Sequence, residues 1–211
     1  MPTVTFATKC WGGDFDKFLG GAFDRKVTAI GYPFDDSVLV LNNGIPSDIP
    51  WHRSFINAVA LKEELLQNIG REEEDFRGGL NYALGELAAV WYTASTYLCF
   101  VQGDCITQGG DWVTPGIQLL EREKNVVVVS PASEVNTWHD EKGYDHYMSD
   151  QAFLVRTADF HNPELYSYLG TDKDYPDYGG LSFEHLIGNY LKATGKKRKI
   201  LKSFYVLHPT Y

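Results

Sequence analysis

"STYLCFVQGDCITQGGDW", Ser95 to Trp112, decides the fold. Tyr97 to Val101 is an apolar run that reads as a buried strand, and it stops abruptly at Gln102-Gly103-Asp104. Two more glycines and a second aspartate, Asp111, follow. Just upstream, Gly79 to Ala94 carries a long apolar pattern at helical spacing. A helix feeding a strand is the repeating step of an α/β chain. In such sheets ligands bind beyond the carboxyl ends of the strands, near a switch point in strand order. An acid set among glycines at such a strand end stands where chemistry is usually done.

The same alternation continues outward in both directions. Thr3 to Thr8, "TVTFAT", is β-branched and aromatic and reads as the first strand. "GDFDKFLGGAFDR" reads as a short helix with a glycine stop, and Ser37 to Gly44 as a second strand ending in a turn. Trp51 to Ile69 has apolar residues at helical spacing, and the acidic "REEEDF" after it reads as a solvated loop. Downstream, Val113 to Glu123 reads as a helix. Asn125 to Pro131 is a continuous apolar strand of the kind covered on both faces. Gln151 to Thr157 is a further strand, Ser182 to Gly195 a helix stopped by its glycine, and Ile200 to Pro209 the last strand. The expectation is a single-domain α/β/α sandwich with a central, mostly parallel sheet, spanning residues 1–211.

Bulk properties exclude several functions. At 211 residues the chain can bury a proper core. Its net charge of −9 argues against a broad nucleic-acid-binding face. The one basic run, "GKKRKILK" (Gly195 to Lys202), reads as a solvated helix end. Cys10, Cys99 and Cys105 are odd in number and lack C-x-x-C spacing, so neither a disulfide scaffold nor a zinc ribbon is expected. No apolar run approaches membrane-spanning length and no signal segment is evident, which makes a cytoplasmic protein the simplest expectation. The nucleotide motifs G-x-G-x-x-G and G-x-x-x-x-G-K-[ST] and the hydrolase motif G-x-S-x-G are all absent.

Four features remain, in a fixed order. Asp104 ends a central strand that follows a long helix. Gly179-Gly180 lies in the loop "DYPDYGGLSFEH". Glu184 opens the next helix, and His208 ends the last strand. This order resembles the GT-A fold of nucleotide-sugar glycosyltransferases. There a strand ends in a D-x-D motif, a glycine loop precedes a helix carrying an x-E-D acid, and a histidine completes the metal site. "RGGLNYALGELAAVWYTASTYLCFVQGD" runs like the family's approach to D-x-D, and "GLSFEHLIGNYLKATGKKRKIL" like its catalytic helix and following strand. The chain is also similar to the N-terminal glycosyltransferase domain of a chlorella-virus protein. That similarity implies a domain cut from a longer chain, a glycan acceptor on a capsid protein, and the host cytoplasm as its location.

The resemblance implies a role for each residue. Asp104 and His208 would ligate Mn2+ (or Mg2+), the histidine tilting the choice toward Mn2+. Gln102 and Gly103 complete the D-x-D triplet beside the donor. Gly179 and Gly180 would let backbone approach the diphosphate or donor sugar. Glu184 would act on the reacting sugars, as general base if configuration inverts, and Asp150 would orient an acceptor hydroxyl. The segment from Thr5 to Trp11, with Ala7, Thr8 and Lys9, would hold the nucleotide. Trp11 or Tyr32 would cover the base, and Asp35 or Asp36 would meet uracil or ribose. The partners so implied are a UDP-sugar donor and a glycan acceptor. Two departures stand out: Gln102 replaces the first acid of D-x-D, and Ser182-Phe183-Glu184 carries one acid of x-E-D.

Plainer readings sit beside these. Asp104 can be a turn former, Glu184 a favourable charge in a helix's first turn, and His208 a structural histidine. Gly179-Gly180 can be an ordinary loop and the Asp150 region a polar connection. A sugar-phosphate nucleotidyltransferase shares much of the sheet, but "ATKCWGGDFDK" lacks the basic glycine-rich run it would show. A non-catalytic carbohydrate-binding or nucleotide-sugar-binding module is the third reading, and the missing first acid supports it.

Overall fold

The computed structural model describes residues 2–42, 54–133, 139–168 and 181–208. In chain order the elements are β1 (Val4–Cys10), α1 (Phe15–Lys17), α2 (Phe23–Ile30), β2 (Asp36–Leu41), β3 (Phe55–Asn57), α3 (Lys62–Ile69) and α4 (Leu80–Tyr92). Then come β4 (Tyr97–Val101), β5 (Ile106–Gln108), α5 (Val113–Arg122), β6 (Val126–Ser133) and β7 (Tyr144–Asp145). Last are β8 (Ala152–Arg156), α6 (Thr157–Phe160), α7 (Phe183–Thr194) and β9 (Lys197–Leu207). Short 3-10 and π turns join α1 to its neighbours.

The strands form one sheet in the order β3-β2-β1-β4-β8-β6-β9-β5, with β7 also on β9. β1 to β4 run parallel to one another. β8 is antiparallel to both its neighbours, β4 and β6. β6 and β9 are parallel to each other, and β5 and β7 oppose β9. β1 and β4 are buried along their whole length, so their side chains feed cores on both faces. On one face α3, α4 and α7 pack around Leu65, Leu87, Phe153 and Leu186. On the other, α2 and α5 pack around Phe6, Phe23, Trp112 and Leu154. The expected α/β/α sandwich with a mostly parallel central sheet is the architecture observed.

Several local expectations change. The helical spacing of 51–69 holds only for α3. Residues 51–53 lie outside the described residues, and Phe55–Asn57 instead adds a strand to the edge of β2, Leu39 opposite Phe55. An open sheet edge offers backbone hydrogen bonds that outweigh a helical pattern lying half in solvent, Phe55 being 50% exposed. "REEEDF" is not a free loop: Glu73–Phe76 forms a 3-10 turn with Phe76 fully buried. α7 does stop at Gly195, which adopts φ 69°. The basic run after it is no solvated helix end. It enters β9, and Arg198 is buried against Asp145, Nε donating to Oδ1 at 3.0 Å. Cys10, Cys99 and Cys105 are free and buried. Among the described residues no helix is long and apolar enough to cross a membrane.

Removing one partner of a buried ion pair strands the other charge without its counterion. Asp145→Ala is therefore expected to lower unfolding free energy by about 3 kcal/mol in urea titrations. An unchanged midpoint would mean that Arg198 does not depend on Asp145.

Candidate active site

The site gathers on the carboxyl edge of the sheet. β4 ends at Val101, and the chain turns at once, Cys105 N–H donating to the Gln102 carbonyl at 3.0 Å. Lys26 of α2 clamps this turn from below, donating to the Gln102 carbonyl at 3.0 Å and to the Cys105 carbonyl. Burial pushes its ammonium down to about 8, against the pull of Cys105 and Asp104. Gly103 leaves no room for a side chain, because a Cβ there would run into the Lys9 carbonyl at the end of β1. The glycine before Asp104 is thus fixed by close backbone packing.

Asp104 and His208 meet directly, His208 Nε2 lying 2.9 Å from Asp104 Oδ2. Strand pairing explains the contact. β5 runs antiparallel to β9 with Ile106 opposite Leu207, so residues just before β5 face those just after β9. Cys105 belongs to the same group, for one ligand atom from each of Asp104, Cys105 and His208 lies within 4.8 Å of the others. Carboxylate, imidazole and thiol are all metal-ligating groups, and this donor set fits a divalent cation. Asp104 is partly exposed and His208 exposed, which leaves the solvent side open.

A second cluster lies beside the first. Because β8 is antiparallel, its first residues reach the carboxyl edge of β4. Ala152 pairs with Val101, and Gln102 N–H donates to the Gln151 carbonyl at 2.8 Å. Asp150 thereby stands next to the Asp104 turn. Glu184 arrives from the first turn of α7, whose start is fixed by Ser182 Oγ on His185 Nδ1 at 2.7 Å. Glu184 lies close to Asp150, whose backbone N–H favours the charged form of its carboxyl. Burial, then the Asp150 and Glu86 charges, push Glu184 up to about 8. Burial also raises Asp150; Lys9 opposes the rise and Asp104 adds to it.

Beneath both clusters lies a buried ion pair, Lys9 Nζ on Glu86 Oε1, with the two side chains 2% and 0% exposed. Burial alone would lower the Lys9 pKa, but the Glu86, Asp150 and Asp104 charges together hold it above its usual value. Glu86 is pushed up to about 7 by burial despite Lys9. Its other oxygen, Oε2, has no hydrogen-bond partner among the described residues.

The remaining expected residues separate by edge. Lys9 lies near the carboxyl edge, but its amino group is spent on Glu86 and shut from solvent, so it does not reach out to ribose or phosphate. Thr5 sits at the amino end of β1, where its hydroxyl pairs with Ser95 Oγ at 2.6 Å. Ala7 is mid-strand core. Asp35 precedes β2, and its Oδ2 accepts the Val4 N–H at 2.7 Å. Tyr32 packs on Phe34, centroids 5.1 Å apart. Since β1 and β2 are parallel, Thr5, Tyr32 and Asp35 belong to the edge opposite Asp104 and cannot share a ligand with it. Thr8 is fully buried in β1, its hydroxyl without a partner among the described residues. Trp11, just past β1, lies 6.3 Å from Tyr82 between ring centroids, at the correct edge. Gly179 and Gly180 lie outside the described residues. Asp111 is also at the far edge, bonding Thr114 N–H at 2.9 Å at the start of α5.

Glu86, Lys26, Cys105 and Asn42 were not singled out from sequence. Glu86 could have been: it is an acid in the middle of the otherwise apolar "NYALGELAAV", and a buried carboxylate needs a partner. Asn42, one residue past β2, donates Nδ2–H to the Asn81 carbonyl at 3.1 Å, while its Oδ1 is buried without a partner among the described residues. A cavity of about 410 Å³ opens against the Asp104 turn, lined by Lys17, Phe18, Arg25, Lys26 and Gly103 among others.

No family model matches the sequence, and no curated protein matches it. Solved structures do match. Glucosyl-3-phosphoglycerate synthase from Mycobacterium tuberculosis, in complex with Mg2+ and UDP, is 10% identical with a TM-score of 0.53, over 100% of this chain and 72% of that one. The same enzyme with Mn2+, UDP-glucose and phosphoglyceric acid is 9% identical with a TM-score of 0.52, over 100% and 73%. GalNAc-T7 with UDP, GalNAc and Mn2+ is 14% identical with a TM-score of 0.53, over 99% of this chain and 44% of that one. This likeness establishes the GT-A fold.

The two raised glutamates set a pH dependence. Unfolded, they release protons near 4.5; folded, Glu86 does so at about 7 and Glu184 at about 8. Between those values the folded chain binds more protons, so stability falls as pH rises through the window. Urea midpoints are expected to decline from about pH 5 to about pH 8, and Glu184→Gln to flatten the decline. Midpoints that climb across this range would contradict the burial of these groups.

Proposed function

We propose that this chain is a metal-dependent glycosyltransferase. It moves a sugar from a nucleotide-sugar donor, UDP-linked, to a glycan acceptor. One observation carries the proposal: an open Asp104–His208 pair and a desolvated Asp150–Glu184 pair converge on one edge of the sheet. The first pair suits the leaving diphosphate and the second suits the acceptor. The fold's solved relatives, crystallised with UDP and Mn2+ or Mg2+, support the donor and the cation.

Asp104 and His208 would hold Mn2+ or Mg2+, with Gln102 contributing only a neutral group where D-x-D has its first acid. Such an ion, when bound, neutralises charge gathering on the leaving diphosphate. The chain's own residues do the rest. If configuration inverts, Glu184 would accept the proton of the acceptor hydroxyl at a carboxylate oxygen, and a pKa near working pH suits a general base. Asp150, beside Glu184, would orient that hydroxyl. Lys9 keeps a positive charge beneath both acids. Trp11 offers an aromatic surface to a base at this edge, and Gly179-Gly180 would border the donor sugar. A hexosyl donor, a capsid-glycan acceptor and a host-cytoplasmic setting are the finer parts of the proposal, and they rest on the chlorella-virus resemblance.

A binding module without catalysis is the second reading, favoured by Gln102 in place of the first acid. Calorimetry with UDP, with and without Mn2+, distinguishes the two. Asp104→Ala is expected to abolish Mn2+-dependent UDP binding with an unchanged circular-dichroism spectrum. Parent-like binding would remove Asp104 from the metal site. Glu184→Gln should keep UDP-sugar affinity and lose on the order of 10²-fold in transfer rate, the scale of a positioned general base. Undiminished turnover in that variant would exclude Glu184 as base and make Asp150 the next acid to test.

A further inference from the structure

We propose that Cys105 is a third protein ligand of the Asp104–His208 centre, so that this centre prefers thiophilic divalent cations such as Co2+ and Zn2+ over Mg2+. The proposal rests on Asp104 and His208 being metal ligands, and it adds a sulfur to an oxygen–nitrogen pair.

The fold builds the third position. In the β5–β9 ladder Ile106 faces Leu207, Thr107 faces Val206 and Gln108 faces Tyr205. One step further along the same register sets Cys105 opposite His208. Its sulfur approaches Asp104 Oδ1 at 3.7 Å, and the three ligand atoms are mutually within 4.8 Å. The turn that presents them is pinned on two sides, by Lys26 on the Gln102 and Cys105 carbonyls and by Gly103 against the Lys9 carbonyl. Three donors from two strand ends are therefore brought together before any ion arrives.

Their exposure is graded. Cys105 is fully buried, Asp104 partly exposed and His208 exposed. A cation bound among them would have sulfur on its inner side and open coordination positions facing solvent, where a phosphate oxygen or water can enter. Three protein ligands with open positions is the pattern of a catalytic rather than a structural metal site. The other two cysteines lie elsewhere: Cys10 Sγ donates to the Trp11 carbonyl at 3.3 Å, and Cys99 sits in the middle of β4 opposite Leu154.

Ligation breaks the S–H bond of Cys105, forms a sulfur–metal bond and releases the proton to solvent, with no change of oxidation state. A thiolate is a soft donor. It strengthens binding of Zn2+ and Co2+ far more than of Mg2+, which demands oxygen.

The test is absorption spectroscopy of the full, metal-free, reduced chain titrated with CoCl2. A near-ultraviolet sulfur-to-cobalt charge-transfer band is expected, saturating at one equivalent with the visible ligand-field bands. Cys105→Ser should lose the charge-transfer band and keep ligand-field bands, with Co2+ and Zn2+ affinity down roughly 10-fold or more and Mn2+ affinity little changed. Cys10→Ser should behave like the parent. Ligand-field bands without a charge-transfer band in the unmodified chain would overturn the proposal while leaving Asp104 and His208 as metal ligands. A charge-transfer band that persists in Cys105→Ser would also overturn it. Failure of the parent to bind any Co2+, Mn2+ or Zn2+ would overturn the metal centre itself and the proposal with it. Since the decisive spectrum is that of the unmodified chain, instability of a variant does not obscure the answer.

Discussion

The buried pair of Lys9 and Glu86 is the interaction on which the rest of the site depends. Taking two charges out of water is costly, and their mutual attraction offsets that cost only in part. Here the cation does more than hold one partner. Lys9 attracts Asp150 and Asp104 as well, so a single ammonium, sealed at the end of β1, balances three carboxylates around it. Without it, the acids meeting at this edge would repel one another in a poorly solvated space. The backbone contributes too, since the carbonyl of the same lysine packs against Gly103 and fixes the height of the Asp104 turn.

Two clusters a short distance apart behave differently because water reaches them differently. Asp104 and His208 lie toward solvent, where an ion can exchange its water. Glu184 and Asp150 are drawn inward, and burial holds their carboxyls above the usual range. One edge of one sheet thus offers a group suited to binding charge and a group suited to moving a proton. The separation arises from the stronger desolvation of Asp150 and Glu184 and from the imidazole that stands beside Asp104.

Both clusters are products of antiparallel strands within a mostly parallel sheet. If β8 ran parallel to β4, Asp150 would precede its strand at the far edge, beside Asp35 and Asp111. Reversed, β8 brings it to Gln102. β5 does the same for Cys105 and His208 by pairing against the end of β9. The two reversals convert a plain nucleotide-type sheet edge into one with acids on several sides.

The sequence by itself determined the α/β class, the helix α4, the strand β4 and the acid at its end. Those depend on local hydrophobic period and on where an apolar run stops, and both are written in consecutive residues. Asp104, His208, Glu184 and Asp150 were each legible as polar groups at the ends of apolar elements. Tertiary structure alone decided which of them meet. Alternation along a strand says which residues share a face, but not which way the strand runs against its neighbours or in what register. That choice is made by hydrogen bonds to residues far away in the chain. It is why Thr5, Tyr32 and Asp35, read as nucleotide contacts, fall on the opposite edge from Asp104. It is also why Lys9, read as a phosphate contact, is consumed by Glu86 from a helix 77 residues later in the chain.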